Sequence, residues 1–276
     1  MHSLHVIGVL RREEVAEDPD MPWEPGGHGG ITTCSASSCK KLYKTFVRSS
    51  LAMEWIEHGY ALLWTTATPV AKKLSNASSA LEHHEFVSGA VAEMLAENAV
   101  TRLPPGEKPL VVSPLGVVPK RGTSKFRLTV NMRYVNRHVG KKVFKFEGLK
   151  DLADLAKRGD HAVSYDLMSG YYHVGLHPRS RTFVGFSWKG QYYVYNCLPF
   201  GLSTAPWVFS KVMRELVMYW RREGIGVLPY LDEFRAMKQG LWACFRLARR
   251  LEGDFVRAGL RSNVPKYHMI LAQQRR

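Results

Sequence analysis

The stretch AVSYDLMSGYYHV, residues 162–174, opens as a strand, Ala162–Asp166, that ends on a carboxylate. Further on, VLPYLDEFRAM at 227–237 reads as a hairpin, with runs 227–231 and 234–237 flanking Asp232-Glu233. Between them lies a helical pattern from about Thr204. Val208, Phe209, Val212, Met213, Leu216 and Trp220 fall on one face, and Pro206 sits in the tolerated first turn. A last helix runs from Leu241 to about Ala258 and closes at Gly259. Strand, helix, hairpin and helix in this order make a split βαβ plan within an α+β protein.

Upstream, Phe86, Val87, Ala90, Val91, Met94 and Leu95 recur at helical spacing, and that helix ends before Leu103-Pro104-Pro105-Gly106. The apolar runs 110–118 and 126–132 are separated by Lys120-Arg121-Gly122-Thr123-Ser124-Lys125, a hairpin with a basic tip. A short helix is expected around Leu149, Leu152, Leu155 and Ala156. Strands are expected at 182–188 and 191–197, flanking Lys189-Gly190. Residues 1–50 hold DPDMPWEPGGHGG and TTCSASSCKK, turn formers without periodicity, and read as a poorly structured lead-in. No internal repeat is present.

The 276 residues carry 39 Lys+Arg against 24 Asp+Glu, a formal net charge of +15 and a pI near 9.8. Such a field attracts polyanions, with nucleic acid the default partner and a merely cationic soluble protein the plain alternative. Cys34, Cys39, Cys197 and Cys244 form no CxxC pair, so no zinc site is expected and reduced thiols are the simplest account. The N-terminal apolar run is too short for a signal sequence, and no stretch approaches the ~20 apolar residues of a membrane span. These features predict a soluble intracellular protein of the nucleus or cytoplasm, not secreted and without membrane partners.

Asp166 at a strand end and Asp232 in a hairpin turn are the chemistry-bearing pair. Taken singly, each is most simply a turn or capping residue. Together, joined through an apolar helix that packs their strands, they supply oxygen ligands of the kind that paired divalent metals need for phosphoryl transfer.

The flanking residues resemble the motifs of reverse transcriptases. Ser164–Val174 is similar to the first catalytic motif, closest to long-terminal-repeat and DIRS-like retrotransposons. Leu198-Pro199-Phe200-Gly201-Leu202-Ser203-Thr204-Ala205-Pro206 resembles the second. Tyr230-Leu231-Asp232-Glu233 stands in the place of the Tyr-x-Asp-Asp box. Ser113–Lys120, Lys125–Leu128 and Arg133–Asn136 look like the fingers signature, and Gly259–Lys266 like the lysine motif. The resemblance covers roughly residues 80–270.

That resemblance implies a right-hand polymerase fold of fingers and palm, the palm with a ferredoxin-like or RRM-like sheet. The expected division is a lead-in at 1–50, a linking or helical segment at 51–80, fingers at 81–141 and 174–203, and palm at 142–173 and 204–276. The chain is expected to stop before the primer grip and thumb. The implied activity is RNA-directed DNA synthesis with two Mg2+ ions (Mn2+ as substitute), an RNA or DNA template with primer, and deoxynucleoside triphosphates. Asp166, Asp232 and Glu233 would be catalytic, and Asp166, the Leu167 carbonyl and Asp232 would ligate metal. Lys120, Lys125, Arg127, Gly170, Tyr171, Phe200 and Lys266 would contact the nucleotide, with Tyr171 as the gate against a 2′-hydroxyl. Arg133, Asn136, Gly201, Pro206 and Tyr230 would meet template or primer. The oligomeric state is not implied.

Four positions depart from the family pattern. Glu233 replaces Asp, Pro229 lies in the strand entering the hairpin, Asn131 replaces an acid, and Arg235 replaces an apolar residue. Glu233, Pro229 and the expected lack of a thumb raise a second reading beside the enzyme: a catalytically inactive remnant that binds nucleic acid through its basic surface.

Overall fold

Proline decides the first departure from the expected strands. The run 110–118 divides at Pro114, whose missing N–H cannot continue a ladder. Val111–Ser113 pairs in parallel with Lys72–Lys73 and Gly185–Trp188, whereas Leu115–Pro119 forms the antiparallel hairpin with Phe126–Val130. The Pro114 carbonyl accepts the Asn131 N–H at 2.9 Å, which closes the hairpin base. Lys189 and Gly190, both at positive φ (47° and 76°), make the tight turn between Gly185–Trp188 and Gln191–Tyr195.

The computed structural model describes residues 4–10, 40–65, 67–140, 142, 144, 157, 159–263 and 266–272. The helix expected around Leu149–Ala156 lies outside them, as do Cys34 and Cys39. The chain divides into two compact units: one comprises Met1–Ile31, Lys145–Gly170 and Met213–Arg276, the other Thr32–Phe144 and Tyr171–Val212.

Among the described residues, the first unit carries a five-stranded antiparallel sheet. Its order is Leu4–Leu10, Lys266–Ala272, Asp160–Asp166, Glu233–Gln239, Val227–Tyr230. The four strands from Asp160 onward realise the split βαβ plan, with the Asp166 strand between the two that arrive last. Leu4–Leu10 departs from the unstructured lead-in expected for 1–50. Its β-branched run LHVIGVL adds a strand along Lys266–Ala272, with an irregularity between Val6 and Val9. Helix Lys40–Phe46 also lies within that lead-in, with Tyr43 and Phe46 buried.

One face of this sheet packs on helix Leu241–Arg257 and the end of helix Ala205–Arg222. Trp220, Phe234, Phe255 and Tyr165 meet edge to face, with ring centroids 5.3–6.1 Å apart. The Trp220 indole N–H donates to the buried Asp254 carboxylate at 2.9 Å. Arg250 and Arg257 pair with the same group. Pro229 is accommodated because Val227–Tyr230 is the edge strand of this sheet, where a missing donor breaks no ladder.

The second unit holds a mixed sheet in the order Lys72–Lys73, Val111–Ser113, Gly185–Trp188, Gln191–Tyr195, Val100–Arg102, together with the hairpin 115–130. Helix His84–Ala96, expected from its periodicity, buries Val87, Val91 and Met94. Cys197 and Cys244, in different units, are both buried and in no disulfide.

Candidate active site

Strand geometry sets the carboxylates side by side. Asp166 ends its strand and faces Glu233 across the ladder. The Leu167 N–H donates to the Asp232 carbonyl at 2.8 Å, so Asp166 and Glu233 form a non-hydrogen-bonded pair, the type whose side chains approach most closely. Leu231 holds φ +55° in the two-residue turn, a strained state for a branched side chain, and this puts Asp232 at the hairpin tip.

Each acid has a different environment. Asp166 is exposed and is fixed from a third segment: the Asn263 side-chain amide donates to its Oδ2 at 3.0 Å and the Asn263 backbone N–H to its carbonyl at 2.8 Å. Asp232 is half-buried. Burial pushes its carboxyl above the usual range, its own backbone N–H works the other way, and the negative charges of Asp166 and Glu233 add to the rise. Glu233 turns to Arg235, whose Nε and Nη2 both donate to Oε1, at 2.9 and 2.8 Å. Among the described residues no three His, Cys, Asp or Glu side chains group as a metal cage. Of the three acids, Asp166 and Glu233 face each other across the ladder, Asp232 stands in the adjoining turn, and the Glu233 carboxylate is paired with Arg235.

The other expected residues of this unit are placed as follows. Gly170 opens the 3-10 turn Gly170–His173, and Tyr230, half exposed, ends the edge strand. The Lys266 backbone lies opposite Ser164 in the ladder.

The second unit gathers the remaining candidates. The Tyr171 ring meets Phe200 at 4.9 Å and Phe209 at 5.6 Å, a half-buried aromatic corner. Gly201 holds φ +92°, and a β-carbon there would come within 2.9 Å of the Val130 carbonyl oxygen, so only glycine fits. The Asn136 amide donates to the Gly201 carbonyl and accepts the Ser203 N–H, both at 2.8 Å. That side chain clamps the turn leading to Pro206, in the first turn of helix Ala205–Arg222, a role the sequence did not suggest for it. Arg133, Arg137 and Asn136 line an open pocket of about 560 Å3. Lys120, Lys125 and Arg127 are exposed at the end of hairpin 115–130, where the Lys120 N–H donates to the Lys125 carbonyl at 2.8 Å.

Set beside known proteins, this arrangement has a family. The model described as reverse transcriptase (RNA-dependent DNA polymerase) matches residues 118–275, more than half of the chain. The chain belongs to the reverse transcriptase family. It is 33% identical over 106 residues to the retrovirus-related Pol polyprotein of transposon 412 from Drosophila melanogaster, covering 37% of this chain and 9% of that one. To the Pol polyprotein of transposon gypsy, from the same fly, it is 27% identical over 152 residues, 53% of this chain and 14% of that. This reverse transcriptase chain thus spans a small part of the length of these curated relatives.

Among solved structures, the foamy viral protease-reverse transcriptase in complex with double-stranded DNA matches with a TM-score of 0.61 at 14% identity, over 87% of this chain and 45% of that chain. The native protease-reverse transcriptase of prototype foamy virus matches with a TM-score of 0.58 at 18% identity, over 72% and 25%. The fold is that of reverse transcriptase fingers and palm. Among the described residues no helix is long and apolar enough to cross a membrane.

Proposed function

We propose that this chain carries the nucleotide-adding centre of an RNA-directed DNA polymerase, with the unit of Asp166 and Asp232 as palm and the unit of Arg127 as fingers. The observation that carries the reading is the Leu167 N–H bond to the Asp232 carbonyl, which sets Asp232 beside the end of the Asp166 strand. The donor set suits Mg2+ or Mn2+. Two carboxylates without a closed cage leave positions for substrate phosphates, which is how magnesium is generally bound. Burial first and then the like charges of Asp166 and Glu233 raise the Asp232 pKa, and a cation relieves the repulsion between those charges.

Asp166 and Asp232 would hold two such ions, whose chemistry would be to activate the primer hydroxyl and to neutralise the triphosphate. Asp166 and Asp232 supply their carboxylates, and the Leu167 carbonyl is offered as a further oxygen. Asn263 fixes the rotamer of Asp166. Arg127, Lys120 and Lys125 meet the triphosphate as cations. Tyr171, braced by Phe200 and Phe209, filters against a 2′-hydroxyl, and Lys266 serves near the departing pyrophosphate. Gly170, at the start of the 3-10 turn that holds Tyr171, would lie against the nucleotide. Arg133, Gly201, Pro206 and Tyr230 border template and primer. The surplus of basic residues draws the nucleic acid in by counterion release.

Primer extension on a homopolymer template, with Mg2+ or Mn2+, tests this. Expected is cation-dependent extension abolished by Asp166→Asn and by Asp232→Asn. Extension that survives both changes overturns the assignment. Salt-sensitive primer–template binding without any extension would instead support the non-catalytic reading.

A further inference from the structure

Two sequence departures in the hairpin, Glu233 and Arg235, form one device. They lie two residues apart on a strand, so both side chains leave the same face of the sheet, the face that Asp166 also occupies. Asp166 and Glu233 are directly opposed, and like charges in that relation repel. Arg235 lies opposite the neutral, buried Ser164 and diagonal to Asp166. Of the two acids it takes Glu233, with both Nε and Nη2 on the single oxygen Oε1. The extra methylene of glutamate, relative to aspartate, lets the carboxylate reach back along its own strand.

We infer that Arg235 is a positioning residue that holds Glu233 back from the cation site, leaving Asp166 and Asp232 as its carboxylate ligands. This rests on the polymerase reading of the site and goes beyond it, because it keeps the second acid of the hairpin box out of the metal shell and gives an arginine the task of holding it there. The pair is partly exposed, at 34% and 37% for Glu233 and Arg235, so its worth lies in where it points the carboxylate rather than in stability.

Mn2+ titration of the 276-residue chain, without nucleic acid or nucleotide, tests the inference. Glu233→Gln should leave the Mn2+ dissociation constant within about twofold of the parent, since the carboxylate lost was already engaged by Arg235. Arg235→Leu should tighten Mn2+ binding by roughly tenfold, because a freed carboxylate raises the ligand charge. Glu233→Gln in the Arg235→Leu background should return affinity to the parent value. If the double variant stays tight, Arg235 acts by repulsion alone and the inference fails. If Glu233→Gln weakens binding as much as Asp232→Asn, Glu233 is a ligand and the inference fails while the site stands. Indifference of Mn2+ affinity to both Asp166→Asn and Asp232→Asn would remove the site itself. The Glu233→Gln arm decides the matter even if Arg235→Leu does not fold.

Discussion

Replacing Asn263 with alanine separates holding a carboxylate from holding the fold. Two hydrogen bonds join Asn263 to Asp166, and the substitution removes one. The backbone N–H bond to the Asp166 carbonyl, at 2.8 Å, survives and keeps the strand end aligned. The amide bond to Oδ2, at 3.0 Å, is lost. Both side chains are exposed, so the freed oxygen rehydrates and stability should fall by only about 0.5–1 kcal/mol. The carboxylate regains its rotamer freedom, and loss of a group that orients a ligand generally costs about 10–100-fold in cation affinity. Calorimetric Mn2+ titration beside a urea melt of the same variant reads both quantities. Unchanged Mn2+ affinity together with a stability loss above about 2 kcal/mol would refute the reasoning, since that exceeds one exposed hydrogen bond and marks Asn263 as a brace.

Burial first, and then the charges of Asp166 and Glu233, raise the Asp232 pKa in the folded state, so ionising it costs folding free energy at neutral pH. That cost is absent below the ordinary value of 3.8, grows as pH rises, and is complete above the raised folded value. Asp232→Asn should therefore melt higher than the parent at pH 7, with the gain vanishing on acidification; an equal or lower melting temperature at pH 7 would contradict this. Asp254→Ala should destabilise by about 2–3 kcal/mol, because the buried Trp220 N–H loses its acceptor while Arg250 and Arg257, 41% and 57% exposed, turn to water. A double-mutant cycle with Trp220→Phe should show coupling of about 1 kcal/mol, and no coupling would mean that the indole bond carries nothing. Gly201→Ala should cost about 1–3 kcal/mol through its positive φ and the nearby Val130 carbonyl, read as a lowered urea midpoint.

Much of the palm-type sheet was legible because its signals are local. Apolar runs, the turn around Asp232 and the amphipathic face of Val208 to Trp220 each declare themselves within a dozen residues. Pro229 removes a ladder bond unless its strand lies at an edge, and that edge position is a tertiary fact which the sequence leaves open. Glu233 and Arg235 were legible as departures but not as partners, since only the pleat puts residues two apart on one face beside Asp166. Asn263 lay inside a motif already singled out, yet nothing in one sequence marks an asparagine as the hand on a distant aspartate. Asn136 stands in the stretch that resembles the fingers signature, and its bonds to the Gly201 carbonyl and the Ser203 N–H join residues 65 and 67 apart, which no local pattern displays. Leu4–Leu10 escaped notice because a single strand beside turn-rich sequence gains its meaning only from Lys266–Ala272.

The strand that ends on Asp166 also shapes how the chain comes to be folded. Both of its neighbours, Glu233–Gln239 and Lys266–Ala272, are made after it. At the ribosome's usual pace the interval before the last one appears is on the order of ten seconds. Until then at least one backbone edge of VSYD stays open, the condition under which strands pair with the wrong chain. A sheet closed by its final segment has high contact order and folds slowly. Yield of soluble protein should thus depend on translation speed and temperature more than on native stability, and stalling within residues 167–265 should favour aggregation. The same late closure that brings Asn263 to Asp166 leaves the nascent chain exposed the longest.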